Sequence, residues 1–485
     1  MPCETMTAAG RRTSYFFLGL FAVTLALRLC HSRILWVDED YHMAAGIQAL
    51  HGKLLYRDLW YDKPPLAAWV YAAMGGIWGW PLRLFGAVYV VALCAAIYHF
   101  ARDIWGEHEA LLAAAFLAFF LNFDFASAII PIAPDFFMML PHIVAVHCAW
   151  RGRALAAGVW SGIAFLFHTK GVFVLGMCFL LVWRSLPLLL AGFATPNAAA
   201  FAVLAAGGAV ADYYRQVWQW GLAYARSSPM ADPIRNAAKS TLDWLGFHSV
   251  LAIGAAWFWK AQRWREQWWL AAWVVLSFAG VALGGRFMPR YFFQLLPPVV
   301  LLAARGWSAL PALAAPRRKL LTAVAAICLL VPLVRFGPRY FTLARDLATH
   351  REHRWFDVAL DQDSQAAAAQ INARKRSGDT LFVWGYRPDL FVYTRLAVAS
   401  RFWDSQPLTG VPADRHLTVA TPIALDGAAG NRIELARSRP AFIADGLSLM
   451  NPRLALESYP ELRAWLRNYH VVGTTGVTVI YQIGP

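Results

Sequence analysis

Charge is scarce in this chain. Only 15% of its 485 residues are Asp, Glu, Lys or Arg, against about 25% in an ordinary soluble domain. A disordered chain, which needs high charge and few apolar residues, is excluded on that ground. Cysteine is scarce too, at 6 residues, and a disulfide-built secreted domain is excluded with it. Cys30, Cys94, Cys148, Cys178 and Cys328 lie in or beside apolar runs, and Cys3 lies in the N-terminal tail. None forms a C-x-x-C or a metal-spaced pair, so they read as small buried hydrophobes. A G-x-G-x-x-G, a P-loop and a G-x-S-x-G are absent, as is any internal repeat.

What the chain has is apolar length. Hydrophobic residues make up 59%, and there are 23 Trp. Many runs approach the roughly 20 residues that cross a bilayer. The net charge of +15 lies mainly between those runs, the membrane-protein pattern rather than that of a nucleic-acid binder.

The first run, about Ser14–Leu35, follows Arg11 and Arg12; no A-x-A cleavage site follows a short apolar core, so it reads as a retained anchor. Further runs lie near 83–102, 107–126, 135–150, 154–169, 171–185, 187–211, 243–260, 267–284, 291–305 and 320–336. The expectation is a polytopic α-helical membrane domain over 1–336 with 11 spans. Charge becomes denser over 337–485, with 31 charged residues against 42 in the much longer 1–336, and there QAAAAQINARKR reads as an amphipathic helix and TLFVW, AFIAD and VTVIYQI read as strands. That part is expected to be a small soluble α/β domain.

Lys and Arg density sets the orientation. With the N-terminus cytoplasmic, short inside loops collect Arg102, Arg151, Arg153, Arg184, Arg305 and Arg317 among others. An odd number of spans then places the C-terminal domain outside. The expected location is the cytoplasmic (inner) membrane, multi-pass. Residues 65–80 are apolar but short, and read as a helix lying in the outer interface within a first outer loop of 36–82.

The strongest chemical signal is Asp38-Glu39-Asp40, three carboxylates directly after the first span. Ionisable groups at membrane depth are costly, which makes them functional candidates; a solvated loop that merely stops the helix is the alternative. Tyr61-Asp62-Lys63-Pro64-Pro65 continues the same loop, placing Lys63 where a phosphate headgroup would sit. Other outer turns carry Pro134-Asp135, His168-Thr169-Lys170-Gly171 and Gly284-Gly285-Arg286-Phe287-Met288-Pro289-Arg290-Tyr291. Cations on the outer side need a reason. Anion binding by Lys170, Arg286 and Arg290 is one, and snorkelling to headgroups is the other. A carboxylate beside such cations suits general-base attack on a phosphate-activated carbon. The scattered His31, His42, His142, His147 and His168 read as packing or interfacial residues, and the Trp-rich stretch Trp257–Trp273 as an interfacial belt.

The ordered set Asp38-Glu39, Lys63-Pro64-Pro65-Leu66, Pro134-Asp135, Lys170-Gly171 and Arg290-Tyr291 with Pro297-Pro298 resembles the GT-C membrane glycosyltransferases. The branch is that of protein O-mannosyltransferases and bacterial lipid A aminoarabinose transferases. The resemblance covers residues 14–305. It implies an inverting hexosyl or pentosyl transfer from a polyprenyl-phosphate sugar to a glycan, lipid or protein acceptor at the outer membrane face. It makes Asp38 the catalytic acid-base residue and gives Glu39 a role in supporting the loop or meeting the acceptor. Asp135 matches the acidic residue of the second outer site. Lys63, Lys170 and Arg290-Tyr291 match places that hold donor phosphate, and Arg286 joins them by spacing. No cofactor is expected. The extra Asp40 departs from the pattern, and Asp38 with Asp40 would suit Mg²⁺ or Mn²⁺ if a divalent cation is used. The competing functions are a transporter or flippase of lipid-linked sugars and a non-catalytic scaffold that presents the outer domain. The first needs repeated halves or mid-membrane polar residues, and neither is present in the sequence.

Overall fold

A computed structural model of the protein describes residues 8–226, 232–261, 267–351, 355–412, 422–423 and 427–484. The chain opens with α1 (Ala8–Leu29), and the loop after it holds α2 (Glu39–Leu50) and α3 (Leu66–Ala73). There follow α4 (Trp80–Trp105), α5 (Glu107–Phe120), the one-turn α6 (Ala126–Ile129), α7 (Pro134–Trp150), α8 (Ala154–Phe167), α9 (Gly171–Val182) and α10 (Leu186–Ala206). α11 (Val210–Tyr213) passes through a π-helical turn, Tyr214–Gln219, into α12 (Trp220–Arg226). α13 (Pro233–Phe247), α14 (Ser249–Ala261), α15 (Trp268–Ala282), α16 (Leu296–Ser308), α17 (Ala315–Phe336) and α18 (Pro338–Thr349) complete the bundle.

A helix lies at each apolar run of the sequence. Four helical stretches are long and apolar enough by themselves to cross a membrane: Gly10–Leu29, Trp80–Trp105, Gly171–Ala206 and Ala315–Thr349. The third contains the 3-10 turn Trp183–Ser185. Glycines bring α8 and α10 into backbone contact, since a Cβ on Gly158 would lie 2.1 Å from the Leu189 carbonyl. Gly162 meets Phe193 one turn further along both helices, so α8 and α10 run parallel and α9 returns between them.

The first loop differs from the expected one. Glu39–Leu50 is helical, although its acidic start reads as a loop. The apolar stretch 65–80 gives only the short α3, which packs against the protein on one face. Its Ala67, Ala68 and Tyr71 are buried, and its backbone packs on α2 at Gly46, where a Cβ would sit 2.7 Å from Ala72 N. Trp78 packs edge-on to Tyr393 of the C-terminal domain, with ring centroids 4.9 Å apart. Within the Trp-rich stretch, Trp268 is exposed, but two of its neighbours point inward. Trp269 and Trp273 are buried, and the Trp273 indole donates to His142 Nε2 at 2.7 Å. Residues 262–266 of that stretch lie outside the described residues, as does Cys3.

The C-terminal part comprises α19 (Phe356–Asn372), β1 (Thr380–Trp384), α20 (Asp389–Thr394), β2 (Ala397–Val398), α21 (Gln406–Thr409), α22 (Ala428–Leu435), β3 (Phe442–Asp445), α23 (Pro460–Leu466), β4 (Tyr469–Thr474) and β5 (Val479–Ile483). The sheet order is β2-β1-β3-β5-β4, with β1 parallel to β2 and β3, and β5 antiparallel to β3 and β4. Every residue of β3 is buried, the mark of a strand covered on both faces. The domain clamps the first loop. Trp403 donates its indole N–H to the Trp60 carbonyl at 2.6 Å, and Gln48 of α2 exchanges hydrogen bonds with Leu396 O and Val398 N.

Candidate active site

The site is built where five segments of the chain meet, at Asp38, Lys63, Asp135, Lys170 and Arg286–Tyr291. Asp38 is the N-cap of α2, but its side chain caps nothing. Its φ of 73° is left-handed, a conformation that costs a non-glycine residue about 1–2 kcal/mol. An N-cap carboxylate usually accepts from the first free N–H groups of its helix. The Asp38 carboxylate instead forms an ion pair with the Arg290 guanidinium. The next residue behaves in the opposite way. Glu39 is wholly buried and paired with the equally buried Arg83. It also accepts from Trp36 N at 3.0 Å and Ile132 N at 3.3 Å. Glu39 is therefore closed in the interior, and no face of its carboxylate is open to an acceptor. Asp40 is buried too, accepting from Tyr41 N at 2.7 Å.

Arg290 and Tyr291 lie in the 3-10 turn Pro289–Gln294, ahead of α16 rather than inside it. The Tyr291 ring is covered by the Lys170 ammonium, 3.1 Å from its centroid. Lys170 Nζ lies 3.7 Å from Asp135 Oδ1, and His168 Nε2 lies 3.7 Å from the same oxygen. Asp135 stands in the first turn of α7, behind Pro134 at the helix start, where a negative charge is favoured by the helix dipole. Reading His168 as a packing residue is thus corrected, because it is the third member of this cluster. Burial pushes the His168 imidazole down to about 4 and the Lys170 ammonium down to about 8.

A second arm holds Lys63 and Arg286. Lys63 Nζ pairs with Asp62 Oδ2 at 2.8 Å and lies 5.8 Å from the Tyr224 ring. Burial disfavours the Lys63 ammonium, yet Asp62, Tyr224 and Asp135 together outweigh this and raise it above its ordinary range. Arg286 stacks on the same Tyr224 ring at 3.5 Å, and its carbonyl accepts from Asn236 of α13 at 3.1 Å. Tyr291 feels the charges of Asp135, Arg290 and Arg286 and the Tyr224 hydroxyl, so the two arms form one cluster.

The state of the cations is the informative feature. Buried arginines elsewhere turn their Nη groups to protein acceptors: Arg28, whose Nε is also unpartnered, donates both to the Ile129 and Ile130 carbonyls, and Arg83 donates to Glu39. Among the described residues, Lys170 Nζ and Arg286 Nε and Nη2 are buried with no hydrogen-bond partner. Buried charged donors left unmade are costly, and an anion that accepts from them would relieve that cost.

Sequence reasoning missed the aromatic wall. Tyr41 stacks on Tyr61, Tyr386 and Trp403, with centroids 5.4, 5.5 and 4.8 Å away. Tyr386 and Trp403 come from the C-terminal domain and are buried. Asp404 beside them is 1% exposed, and burial raises its carboxyl to about 7. No group of three or more His, Cys, Asp or Glu among the described residues is placed to hold a metal ion.

Residues 62–206 match the family described as dolichyl-phosphate-mannose-protein mannosyltransferase. The structure resembles ArnT from Cupriavidus metallidurans, solved bound to undecaprenyl phosphate and in the apo state. The TM-score is 0.59 for each at 16% identity, over 99% of this chain and 100% of that one. The chain has the GT-C membrane glycosyltransferase fold. Its long apolar helices accord with a membrane protein of this fold. An oligosaccharyltransferase from Archaeoglobus fulgidus also matches, at 12% identity and a TM-score of 0.49, over 94% of this chain and 73% of that one. No curated protein matches the sequence.

Proposed function

We propose that the protein is an inverting glycosyltransferase that moves a sugar from a polyprenyl-phosphate donor to a glycan, lipid or protein acceptor. The observation that carries this reading is the pair of buried cations with unmade hydrogen bonds, Lys170 and Arg286, beside the Asp38–Arg290 ion pair. The undecaprenyl phosphate bound by the Cupriavidus metallidurans ArnT is a ligand of the matching chemistry.

In this reading the donor phosphate accepts from Lys63, Lys170, Arg286 and Arg290. It competes with Asp38 for Arg290 and so frees the carboxylate. Asp38 takes the proton of an acceptor hydroxyl. The hydroxyl oxygen attacks the anomeric carbon from the face opposite the phosphate, a new C–O bond forms, and the bond from that carbon to the phosphate oxygen breaks. The departing polyprenyl phosphate gains a negative charge, which the four cations stabilise. Tyr291 holds the Lys170 ammonium over its ring, and the Asp135 carboxylate, which His168 also approaches, pairs with the same ammonium. A divalent cation at Asp38 and Asp40 is not needed for this scheme. The site end of the bundle is taken as the outer face of the cytoplasmic membrane, with 11 spans, a cytoplasmic N-terminus and the C-terminal domain outside.

The test is mass spectrometry of lipids and glycans from cells carrying the wild-type protein or Asp38→Asn. One product should lose the mass of a pentose or hexose in the variant. Identical products, with the variant present in the membrane, would refute the transferase. Movement of lipid-linked sugar across the membrane by the variant would favour a flippase instead.

A further inference from the structure

Between α10 and α13 the chain turns one buried amide onto the first loop. α11 passes into α12 through the π-helical turn Tyr214–Gln219, a rare geometry that recurs at functional sites. The turn carries Gln216, which is 1% exposed. Its Oε1 accepts from Tyr61 N at 2.7 Å, and its Nε2 donates to Tyr56 O at 2.8 Å. One of these backbone groups is a donor and the other an acceptor. A carboxylate satisfies only the first, and an apolar side chain satisfies neither.

The two bonds fall just ahead of Lys63. Tyr56 has a left-handed φ of 70°, a strained conformation that persists only where its surroundings hold it. Its hydroxyl donates to the Lys63 carbonyl at 2.8 Å, and its ring packs edge-on to Tyr213 with centroids 5.0 Å apart. Two turns further along, the Tyr224 ring lies 5.8 Å from the Lys63 ammonium and 3.5 Å from the Arg286 guanidinium. The segment from Gln216 to Tyr224 thus fixes the backbone before Lys63 at one end and meets the Lys63 ammonium at the other. We infer that Gln216 is a positioning residue for Lys63. It touches neither phosphate nor sugar, and it sets where the ammonium stands. The inference deepens the transferase reading and rests on its assignment of Lys63 to the donor phosphate.

Binding of undecaprenyl phosphate is measured with the full-length protein in nanodiscs for wild type, Gln216→Met, Lys63→Ala and the double variant. Gln216→Met keeps the reach of the side chain and loses both bonds. It should weaken binding about fivefold where Lys63 is present and less than about twofold where Lys63 is replaced, the coupling expected when one residue acts through another. An equal loss on both backgrounds would overturn the inference. So would a lower melting temperature with unchanged affinity, which marks a structural role alone. Gln216→Glu covers the case in which Gln216→Met does not fold. It keeps the size and the bond to Tyr61 N, loses the bond to the Tyr56 carbonyl, and should weaken binding in the same Lys63-dependent way. Wild-type affinity in Gln216→Glu would likewise overturn the inference. Normal binding by Lys63→Ala would remove Lys63 from the phosphate site, and the positioning role with it. Weak binding by Lys63→Ala beside normal binding by Gln216→Met would remove the positioning role alone.

Discussion

Asp38 and Arg290 form an ion pair between the left-handed N-cap of α2 and the 3-10 turn before α16. The two residues are 252 positions apart in the sequence, and their pairing draws the first loop onto the donor-side cations. Because Asp38 caps no helix N–H, its replacement removes chemistry and little support for the fold. Asp38→Asn is expected to lower turnover about 10²–10⁴-fold, the usual contribution of a positioned base. Donor affinity should hold or rise, because the phosphate no longer competes with a carboxylate for Arg290, and the melting temperature should stay near wild type. Turnover above one tenth of wild type would remove Asp38 as the base.

Glu39 predicts the contrary behaviour. Its carboxylate neutralises Arg83 in the interior, and breaking a buried pair by removing one partner costs about 3–5 kcal/mol. Glu39→Ala is expected to melt earlier and to yield little folded protein in detergent. A normal melting curve would show that the pair does not hold the loop.

In the proposed reaction Lys170 would make donor binding depend on pH. Its ammonium titrates near 8, below the ordinary 10.5, so its charge is present below pH 8 and is lost as pH rises through it. Undecaprenyl phosphate affinity should fall between pH 7 and pH 9. Lys170→Gln should bind more weakly at pH 7 and lose this part of the pH dependence, whereas Lys170→Arg should keep its charge at pH 9. Parallel pH curves for all three proteins would exclude Lys170 from the phosphate site.

Asp404 predicts a stability effect. Its carboxyl titrates near 7 in the fold against an ordinary 3.8. A raised value stabilises the fold fully below 3.8 and loses that contribution as pH climbs through 7. Asp404→Asn keeps the acceptor for Gln406 N, which lies 2.8 Å from Oδ1. At pH 8 the variant should be more stable than wild type, by on the order of 2–4 kcal/mol. A variant that is less stable at pH 8 would contradict a strained buried charge.

Much of the cluster was legible because polar residues at the ends of apolar runs have few reasons to be there. Lys170, Asp135 and Arg290 stood out on that account, and the structure brings them together with Asp38 and Tyr291. α2 was not legible. Its first residues are acidic and crowded, and its helicity comes from burial against α3 rather than from its local pattern. His168 was misread because a single histidine carries no partner in sequence, and only the turn before α9 places it at Asp135. Tyr224, Tyr386 and Trp403 reach the site from separate segments, and nothing local distinguishes them from core aromatics. The sheet was partly legible. β1, β3 and β5 are compact apolar runs, whereas β2 has two residues and β4 is largely exposed.

The most direct measurement is a cryo-electron microscopy map of the protein in nanodiscs loaded with undecaprenyl phosphate. Phosphate density should lie within hydrogen-bond distance of Lys170 Nζ and the Arg286 guanidinium, with Arg290 drawn away from Asp38. Phosphate density remote from all of Lys63, Lys170, Arg286 and Arg290, with the Asp38–Arg290 pair intact, would contradict the account.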